Sequence, residues 1–291
     1  MGARHLFCFG LGYTALVLAR RALAEGWTVA GTCRETATRD ALRAEGIAAD
    51  LFDGGAPLAD AADRLGAASH VLSTVPPDEA GDPVLRHHDR DLAAAEGVRW
   101  IGYLSTTGVY GDRGGDWVDE ESALHPTGDR GARRVTAEAL WRDLWWDHGR
   151  PVHLFRLAGI YGPGRNTLEA VRRGTARRIH KAGQVFSRIH VEDIATTLLA
   201  SMTAPDPGAV YNLSDDDPAP ADEVIAHAAA LLGVAPPPLV PYHQAEAGLS
   251  AMAKSFYRDN KRVRNDRIKN RLGVTLAYPD YKTGLAALLA D

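Results

Sequence analysis

The sequence predicts an α/β protein with a Rossmann-type, doubly wound parallel sheet and a smaller, interleaved C-terminal substrate lobe. Short apolar runs alternate with helical patterns through the first half of the chain. The runs are almost continuously apolar, as expected for strands that helices cover on both faces. A glycine-rich turn follows the first run and opens the first helix. The chain has 291 residues, 45% of them hydrophobic, which is enough to bury a sizeable core.

The individual elements follow from this alternation. We predict strands at 5–9, 27–32, 46–50, 70–75, 99–105 and 152–158. We predict helices at 13–25, 36–45, 57–65, 83–96 and 133–148. Further along, we predict a helix near 167–173, a strand end and helix that return to the sheet in "RIHVEDIATTLLASM", a strand within 208–216 and a helix at 220–233. The segment 234–243 should be extended, because its prolines exclude a helix.

No clean linker divides the chain, so the two predicted parts are interleaved. Residues 1–160 should form the Rossmann core, to which 184–213 return. Residues 161–183 and 214–291 should form the smaller substrate-binding lobe. In open parallel sheets ligands bind at the carboxyl ends of the strands, so the site residues are expected there.

The turn "FGLGYTA" carries the pattern of a dinucleotide-binding loop. Gly10, Gly12 and Ala15 form G-x-G-x-x-A between a strand and a helix. In this pattern Gly10 permits the tight turn, Gly12 lets the backbone approach a pyrophosphate, and Ala15 keeps helix and strand close. The N–H groups at the start of the helix then face the phosphates. The residues assigned to this part of the cofactor site are Gly10, Leu11, Gly12, Tyr13 and Thr14.

The residue after the second strand distinguishes NAD from NADP. NAD sites carry Asp or Glu there to bind the ribose 2′-hydroxyl. This chain has Arg34 instead, and a guanidinium can bind a 2′-phosphate through two hydrogen bonds. Glu35 should point elsewhere, while Arg39, one turn into the next helix, should assist. The sequence therefore predicts NADP, with NAD less favoured.

Two further strand ends are assigned to the cofactor. Asp50, after the third strand, either accepts a hydrogen bond from the adenine amino group or serves as a plain strand-end turn. The segment "STVPP" ends the fourth strand. There we expect the backbone of Ser73 and Thr74 to pass close to the ribose of the nicotinamide half.

Composition excludes several classes of function. The net charge of −4 gives no general preference for nucleic acid or for an acidic membrane. The N-terminal apolar run is too short for a signal peptide or a membrane span, so we expect a cytoplasmic protein. Cys8 and Cys33 have no metal-ligand neighbour at useful spacing. We expect both to be reduced thiols and predict no metal site.

Three more motifs follow in order along the chain: "LSTTGVYGD" (104–112), "RLAGIYGPGR" (156–165) and "IHVEDIA" (189–195). With the glycine-rich turn, they resemble landmarks of the extended short-chain dehydrogenase/reductase family, which includes the NAD-dependent epimerases and dehydratases of nucleotide sugars. The resemblance covers nearly the whole chain and is closest to an atypical branch without a settled substrate. It implies a Rossmann fold, a nicotinamide cofactor and hydride transfer.

The resemblance also implies a catalytic group of a hydroxyl residue, a tyrosine and a lysine. In the family the tyrosine is the acid/base, the lysine lowers the tyrosine's pKa and holds the nicotinamide ribose, and the hydroxyl residue orients the substrate. The hydroxyl position matches Thr106, four residues before Tyr110. Ser105 and Thr107 are close substitutes for Thr106.

The positions of the tyrosine and the lysine carry Arg130 and Arg134 in this chain, with Glu138 four residues further on as in the family. An arginine side chain has a pKa above about 12 and does not release its proton near neutral pH. Arg130 can therefore polarise a carbonyl or bind an anion, but it is a poor proton donor. Arg134 can still replace the lysine at the ribose hydroxyls.

Three interpretations of the missing tyrosine remain. In the first, another group supplies the proton, with Tyr110, Tyr161, His190 and Asp82 as candidates. In the second, Arg130 only stabilises developing oxyanion charge. In the third, the protein is a non-catalytic NADP(H)-binding regulator or scaffold. Each proton-donor candidate also has a structural alternative, and Asp82, followed by proline, is better placed to cap a helix.

The substrate is expected to be a small molecule, and basic residues in the predicted lobe favour an anionic one. These residues are Arg165, Arg172, Arg173, Arg177, Arg178, Lys181 and Arg188. A solvated helix face is the alternative explanation. Related proteins pair the long helices after strands four and five across a two-fold axis, so the resemblance raises a homodimer as an expectation. We expect an oxidoreductase or epimerase/dehydratase that acts on a hydroxyl or carbonyl compound.

Overall fold

The computed structural model describes residues 4–290, with thirteen strands and twelve α-helices. The strands are β1 (His5–Phe9), β2 (Thr28–Cys33), β3 (Ala48–Leu51), β4 (His70–Ser73), β5 (Trp100–Thr106), β6 (Trp117–Val118), β7 (Val152–Leu157), β8 (Gly159–Tyr161), β9 (Ile179–His180), β10 (Arg188–His190), β11 (Val210–Leu213), β12 (Val240–Pro241) and β13 (Arg262–Val263). The α-helices are α1 (Tyr13–Ala24), α2 (Thr36–Ala44), α3 (Ala61–Ala67), α4 (Pro83–Ala94), α5 (Asp129–His148), α6 (Thr167–Arg172), α7 (Val191–Thr203), α8 (Ala221–Leu231), α9 (Tyr242–Ala245), α10 (Ala251–Arg258), α11 (Asp266–Leu272) and α12 (Tyr281–Ala290).

Seven strands form one parallel sheet in the order β11-β7-β5-β4-β1-β2-β3. The chain runs outward from β1 to β3 and then returns to the other side of β1 as β4. The strand order therefore reverses beside β1, which is where open parallel sheets bind ligands. The predicted Rossmann-type sheet is confirmed. Three two-stranded pairs lie outside it: β6 with β13, β8 with β10, and β9 with β12.

The central strands are buried on both faces, which explains their continuous apolar runs. Every residue of β4 and β7 is buried, and only the last residue of β5 is partly exposed. One face packs on α4 and α5, where the ring of Trp141 stacks on Tyr103 with the ring centroids 5.3 Å apart. Burial of these large aromatic groups supplies much of the hydrophobic stabilisation of the sheet.

Several predicted elements differ from the structure. Helix α3 starts at Ala61 rather than at 57, because Asp60 adopts a left-handed φ of 53° and the Leu58 N–H bonds to His88. Helix α5 starts at Asp129, before the predicted 133. The segment predicted as extended to 243 already turns helical at Tyr242. Strand β10 pairs with β8 and does not return to the main sheet.

The described chain divides into two compact units. The first contains residues 4–106, 132–156 and 194–211. The second contains 107–131, 157–193 and 212–290. Several ranges that the sequence assigns to the core cluster with the second unit, namely 107–131, 157–160, 184–193 and 212–213. Among residues 4–290, no helix is long and apolar enough to cross a membrane.

We predict that Gly31→Ala destabilises the protein. A Cβ at Gly31 would lie 2.4 Å from the Cys8 carbonyl oxygen and 3.0 Å from the Leu11 side chain. Because β1 and β2 would have to separate, the free energy of unfolding should fall by about 1–3 kcal/mol in denaturant titration. Gly66→Ala is the matched control, since a Cβ there meets nothing within 4 Å. Equal stability of the two variants would contradict the argument.

Candidate cofactor and catalytic site

The turn between β1 and α1 is held in place by the two neighbouring strands. The Gly10 N–H donates to Thr32 Oγ1 (3.0 Å), and the Leu11 N–H donates to the Thr32 carbonyl oxygen (2.7 Å). From β4, Thr74 Oγ1 donates to the Gly10 carbonyl oxygen (2.6 Å). Gly10 has a φ of +87°, and a Cβ there would lie 2.7 Å from Thr74 Oγ1. Only glycine fits this position, as the sequence pattern predicts.

Above this turn the start of α1 faces open space. Gly12 is the N-cap residue, no side chain caps the helix, and a Cβ on Gly12 would meet nothing within 4 Å. The first turn of α1 contains no acid. Leu11 and Thr14 are buried and Tyr13 is half-buried, so this turn offers mainly its backbone N–H groups. The arrangement fits a pyrophosphate, which such donors and the helix dipole attract.

At the end of β2, Arg34 provides a guanidinium without a partner in residues 4–290. Its side chain is exposed and forms no hydrogen bond or ion pair with the described chain. Arg39, the predicted assistant, is instead paired with Asp40 at 2.9 Å. Glu35 is exposed at the N-cap of α2 and makes no capping hydrogen bond. A cation is therefore available where NAD sites place an acid.

The other predicted cofactor residues are ion-paired or buried, so their side chains are less available to a ligand. Asp50 lies inside β3 rather than after it, and its carboxylate is ion-paired with Arg43 (3.3 Å) and Arg64 (2.7 Å). Its adenine contact stays a prediction, since two guanidinium groups already hold that carboxylate. Ser73 is fully buried and Thr74 is half-buried, and the approach of their backbone to the nicotinamide ribose stays a prediction.

The carboxyl end of β5 is tied to α5 and β7 by a buried charged group. Ser105 Oγ donates to Glu138 Oε1 at 2.6 Å. Arg156 Nε donates to both Glu138 oxygens (3.1 and 3.2 Å), and its Nη2 donates to Oε2 (2.7 Å). Ser105 is therefore committed to Glu138 and does not substitute for Thr106. Thr106 is the last residue of β5 and is half-buried, and its side chain alternates to the other face.

Arg134 is anchored through one of its guanidinium nitrogens, Nη1. Its Nη1 donates to the Tyr103 hydroxyl (2.9 Å) and to the Leu104 carbonyl oxygen (2.6 Å). The guanidinium also lies over the Tyr103 ring, 5.5 Å from the centroid. Nε and Nη2 make no hydrogen bond within residues 4–290, so they are available to bond a ligand.

Asp82 caps α4, as the sequence indicates. Its Oδ1 accepts from the N–H groups of Val84 (2.9 Å) and Leu85 (3.1 Å), while its Oδ2 accepts from Trp141 Nε1 (2.9 Å). Burial raises the pKa of Asp82, and these donors oppose that rise. With all of these bonds made, its carboxyl is a structural group rather than a proton donor.

In the second unit, Tyr110 and Arg130 differ sharply in exposure. The Tyr110 ring is 0% exposed, and its hydroxyl donates to Asn212 Oδ1 at 2.7 Å. This placement argues against Tyr110 as the proton donor, because a substrate cannot reach its hydroxyl without unpacking the unit. Arg130 lies in the first turn of α5, exposed and without a partner in the described chain.

Tyr161 and His190 pack against each other, with ring centroids 5.1 Å apart. The Tyr161 hydroxyl donates to the Asp280 carbonyl oxygen (3.4 Å), and burial raises the pKa of Tyr161. His190 is buried, and its Nδ1 accepts from the Glu192 N–H at 3.2 Å. Like Tyr110, both side chains occupy packing positions in their unit.

The basic residues of the second unit do not form one open patch. Arg172 pairs with Glu169 at 2.8 Å. Arg177, Arg178 and Arg188 donate to backbone carbonyl oxygens at 2.7 to 3.3 Å. Much of this charge therefore supports the local backbone, and the argument for an anionic substrate rests more on Arg130.

Sequence reasoning assigned no role to Arg156 or Thr32, although a signal was present for both. Arg156 interrupts the otherwise apolar strand "VHLFRL", and a buried charge requires a partner. Its partner Glu138 was noted only as a family landmark. Thr32 is a polar residue near the end of a buried strand, where a hydroxyl can reach the backbone of the adjacent turn.

The sheet and the glycine turn define a Rossmann-type fold, and comparison with known proteins adds a family resemblance over part of the chain. The model of the NAD dependent epimerase/dehydratase family matches residues 90–214. This match covers 125 of the 291 residues, so that part of the chain is similar to the members of this family.

Three similar proteins illustrate the relationship. A functionally unknown conserved protein from Silicibacter pomeroyi has a solved structure that is 51% identical, with a TM-score of 0.89 and 99% of both chains covered. The 3-diazoavenalumate denitrifying reductase of a Streptomyces species is 29% identical over 209 residues, 68% of this chain and 67% of the reductase. The structure of dTDP-glucose 4,6-dehydratase from Bacillus anthracis, in complex with NAD, shares the fold at 16% identity with a TM-score of 0.77, covering 99% of this chain and 96% of that one.

Asp215 generates a pH prediction. Burial raises its pKa from 3.8 to about 8, with the Arg188 guanidinium opposing the rise, and the residue is 1% exposed. The folded state thus binds this proton more tightly than the unfolded state. The stability contributed by the protonated carboxyl is complete below about pH 4 and is lost as the pH rises through about 8.

We therefore expect Asp215→Asn to gain stability relative to the wild type over that pH window, because the amide cannot ionise. Denaturant unfolding at several pH values measures the difference. Asp40→Asn, at a carboxylate that is 60% exposed, should show no such trend. Parallel curves for the wild type and Asp215→Asn would refute the raised pKa.

Proposed function

We propose that the protein is an NADP(H)-dependent oxidoreductase or epimerase/dehydratase that acts on a small, anionic hydroxyl or carbonyl compound. The glycine turn carries this proposal, because its backbone is fixed from two strands and opens onto free space at Gly12. The match of residues 90–214 to the family model supports a nicotinamide dinucleotide. The NAD complex of the B. anthracis dehydratase and the reductase activity of the Streptomyces relative support hydride chemistry on this fold.

The strand order divides the proposed cofactor site into two halves. The turn at Gly10 and Gly12 lies at β1, in the middle. Arg34 at the end of β2 and Asp50 in β3 lie on one side and would serve the adenosine half. The ends of β4, β5 and β7 lie on the other side and would serve the nicotinamide half. The exposed Arg34 favours a 2′-phosphate, and hence NADP.

At the nicotinamide half, the cofactor supplies or accepts a hydride when bound. Arg134 presents Nε and Nη2 to the ribose hydroxyls, in the role of the family's lysine. Thr106 orients the substrate. Arg130, at the family's tyrosine position, stabilises negative charge that develops on the substrate oxygen. Because a guanidinium keeps its proton near neutral pH, the proton exchanged with that oxygen comes from solvent.

One observation favours a second candidate, a non-catalytic NADP(H)-binding regulator or scaffold. The alternative donors Tyr110, Tyr161 and His190 are all buried in packing positions. A protein that kept the cofactor turn and lost its catalytic acid would likewise have no accessible proton donor among these three residues. Arg130 is exposed and has no partner within residues 4–290, which favours the enzyme instead, because a scaffold has no evident use for it.

The cofactor preference can be tested by titration calorimetry with NADPH and NADH at fixed salt. We expect NADPH to bind more tightly. Arg34→Ala should lower NADPH affinity by about tenfold or more, because charge-assisted hydrogen bonds to the 2′-phosphate are lost, and should leave NADH affinity unchanged. Arg99→Ala is the control, since Arg99 is exposed just before β5, at the opposite end of the strands. Binding of neither nucleotide would overturn the cofactor proposal, and tighter NADH would overturn the NADP preference.

The role of Arg130 can be tested with NADPH and a panel of small carbonyl compounds, each paired as a carboxylate and its neutral amide. We expect NADPH absorbance to fall fastest with the carboxylates. Arg130→Ala should then lower turnover by about 10²-fold, because one stabilising donor is lost, while Arg130→Lys keeps part of it. Arg142→Ala, an exposed arginine on the same helix, is the control. Tight NADPH binding without turnover of any compound would support the scaffold, and unchanged turnover in Arg130→Ala would remove that residue's role.

A further inference from the structure

We propose that Arg156 is a positioning residue, which acts through Glu138 and Ser105 to set the geometry of the nicotinamide half of the cofactor site. The inference rests on the proposed function, since it presupposes that the cofactor binds. It assigns a role to a buried ion pair that touches neither the glycine turn nor Arg34. The observation behind it is that one carboxylate joins three elements at the carboxyl ends of β5 and β7.

The Glu138 carboxylate is held in place by hydrogen bonds from two strands. Arg156 donates to it from β7 through Nε and Nη2, so the carboxylate is held in plane. A further lone pair of Oε1 accepts a hydrogen bond from Ser105 Oγ on β5 at 2.6 Å. The side chains of Glu138 and Arg156 are only 3% and 4% exposed, so water does not compete for these bonds. A carboxylate held this way has one orientation available to it.

Stability alone gives a weak reason for such a group. Taking two charges out of water costs much of what their attraction returns, and well-packed apolar residues often stabilise a core equally well. The position of the pair along the strands is the more informative feature. It lies where β5 and β7 end, at the sheet edge that binds ligands, rather than in the middle of the core.

The positions of two residues proposed to act at the nicotinamide half depend on these hydrogen bonds of Glu138. Ser105 directly precedes Thr106, so a fixed Ser105 fixes the backbone that presents the Thr106 side chain. Glu138 lies one helical turn after Arg134 on α5, so both face the same strand. Arg134 donates to the carbonyl oxygen of Leu104, the residue before Ser105. The helix and the end of the strand are thereby locked in one register at two successive turns.

The strand order makes the inference testable, because the adenosine half lies on the far side of β1. A change confined to β5, α5 and β7 should disturb NADPH binding without disturbing the binding of 2′,5′-ADP, which has the adenosine and 2′-phosphate but no nicotinamide. We therefore compare the affinities of the full-length protein for NADPH and 2′,5′-ADP by calorimetry. The fluorescence of bound NADPH gives a separate readout of the nicotinamide environment.

Three variants separate positioning from folding. Ser105→Ala removes the last link and leaves the ion pair intact. Arg156→Met leaves Glu138 buried without its countercharge and should lower thermal stability strongly. Glu138→Gln combined with Arg156→Met removes both charges and should recover thermal stability. The control is Glu45→Gln combined with Arg20→Met, which removes an ion pair whose side chains are 41% and 56% exposed.

We expect Ser105→Ala and the double variant at 138 and 156 to lose NADPH affinity by about tenfold and to change the fluorescence of bound NADPH. Their affinity for 2′,5′-ADP should stay within about twofold of wild type, as should both affinities of the control. Recovered stability with poor NADPH binding is the signature of positioning. If the single Arg156 variant does not fold, the other two decide the question.

Two results would overturn the inference. In one, the stable double variant and Ser105→Ala bind NADPH like the wild type, with unchanged fluorescence, so that the ion pair matters for folding only. In the other, the affinities for NADPH and 2′,5′-ADP fall together, which indicates general loosening. Failure of the proposed function is distinguishable from both, because the wild-type protein would then bind neither nucleotide.

Discussion

The buried pair of Glu138 and Arg156 is the constraint on which the arrangement of β5, β7 and α5 at the candidate site depends. Neither charge can be left alone in the sheet, so β7 and α5 must meet at this point. Once they meet, the remaining lone pair of Glu138 fixes Ser105 at the end of β5. Burying the Glu138 carboxylate costs desolvation free energy, but its hydrogen bonds then fix the positions of β5, β7 and α5 relative to one another.

Two more side chains on the same helix face, Arg134 and Trp141, make polar contacts, which explains why polar-atom-bearing residues recur on the buried side of α5. Arg134, Glu138 and Trp141 recur at helical spacing, and each directs a donor or acceptor toward β5 or toward the start of α4. Between them lie residues that pack or face outward. The helix is therefore attached by hydrogen bonds at three successive turns, from Arg134 to Trp141. Arg130 and Arg134 differ for the same reason, since Arg130 precedes the attached segment whereas Arg134 is part of it.

The backbone plan could be predicted from the sequence, but the directions of several side chains could not. Strand runs and the glycine turn are local signals, so the sheet and the space at Gly12 followed from the pattern. The fates of Tyr110 and Ser105 depend on Asn212 and Glu138, which are distant in the sequence. No period or motif encodes such pairings. The lone arginine in β7 was the one local sign that a buried partner must exist.

In the proposed function, Arg130 and Arg134 stand at the positions that the resemblance matches to the family's tyrosine and lysine, and they separate two tasks that this pair couples. In a tyrosine–lysine pair, the charge at the site changes when the proton moves, because the lysine exists to stabilise the phenolate. Two guanidinium groups keep a constant charge across the physiological pH range. Electrostatic support of an oxyanion is then permanent, while proton transfer is left to solvent or to the substrate itself. Such a site suits a substrate whose negative charge is stabilised without being quenched, which is the chemistry that an exposed Arg130 and a fixed Arg134 provide.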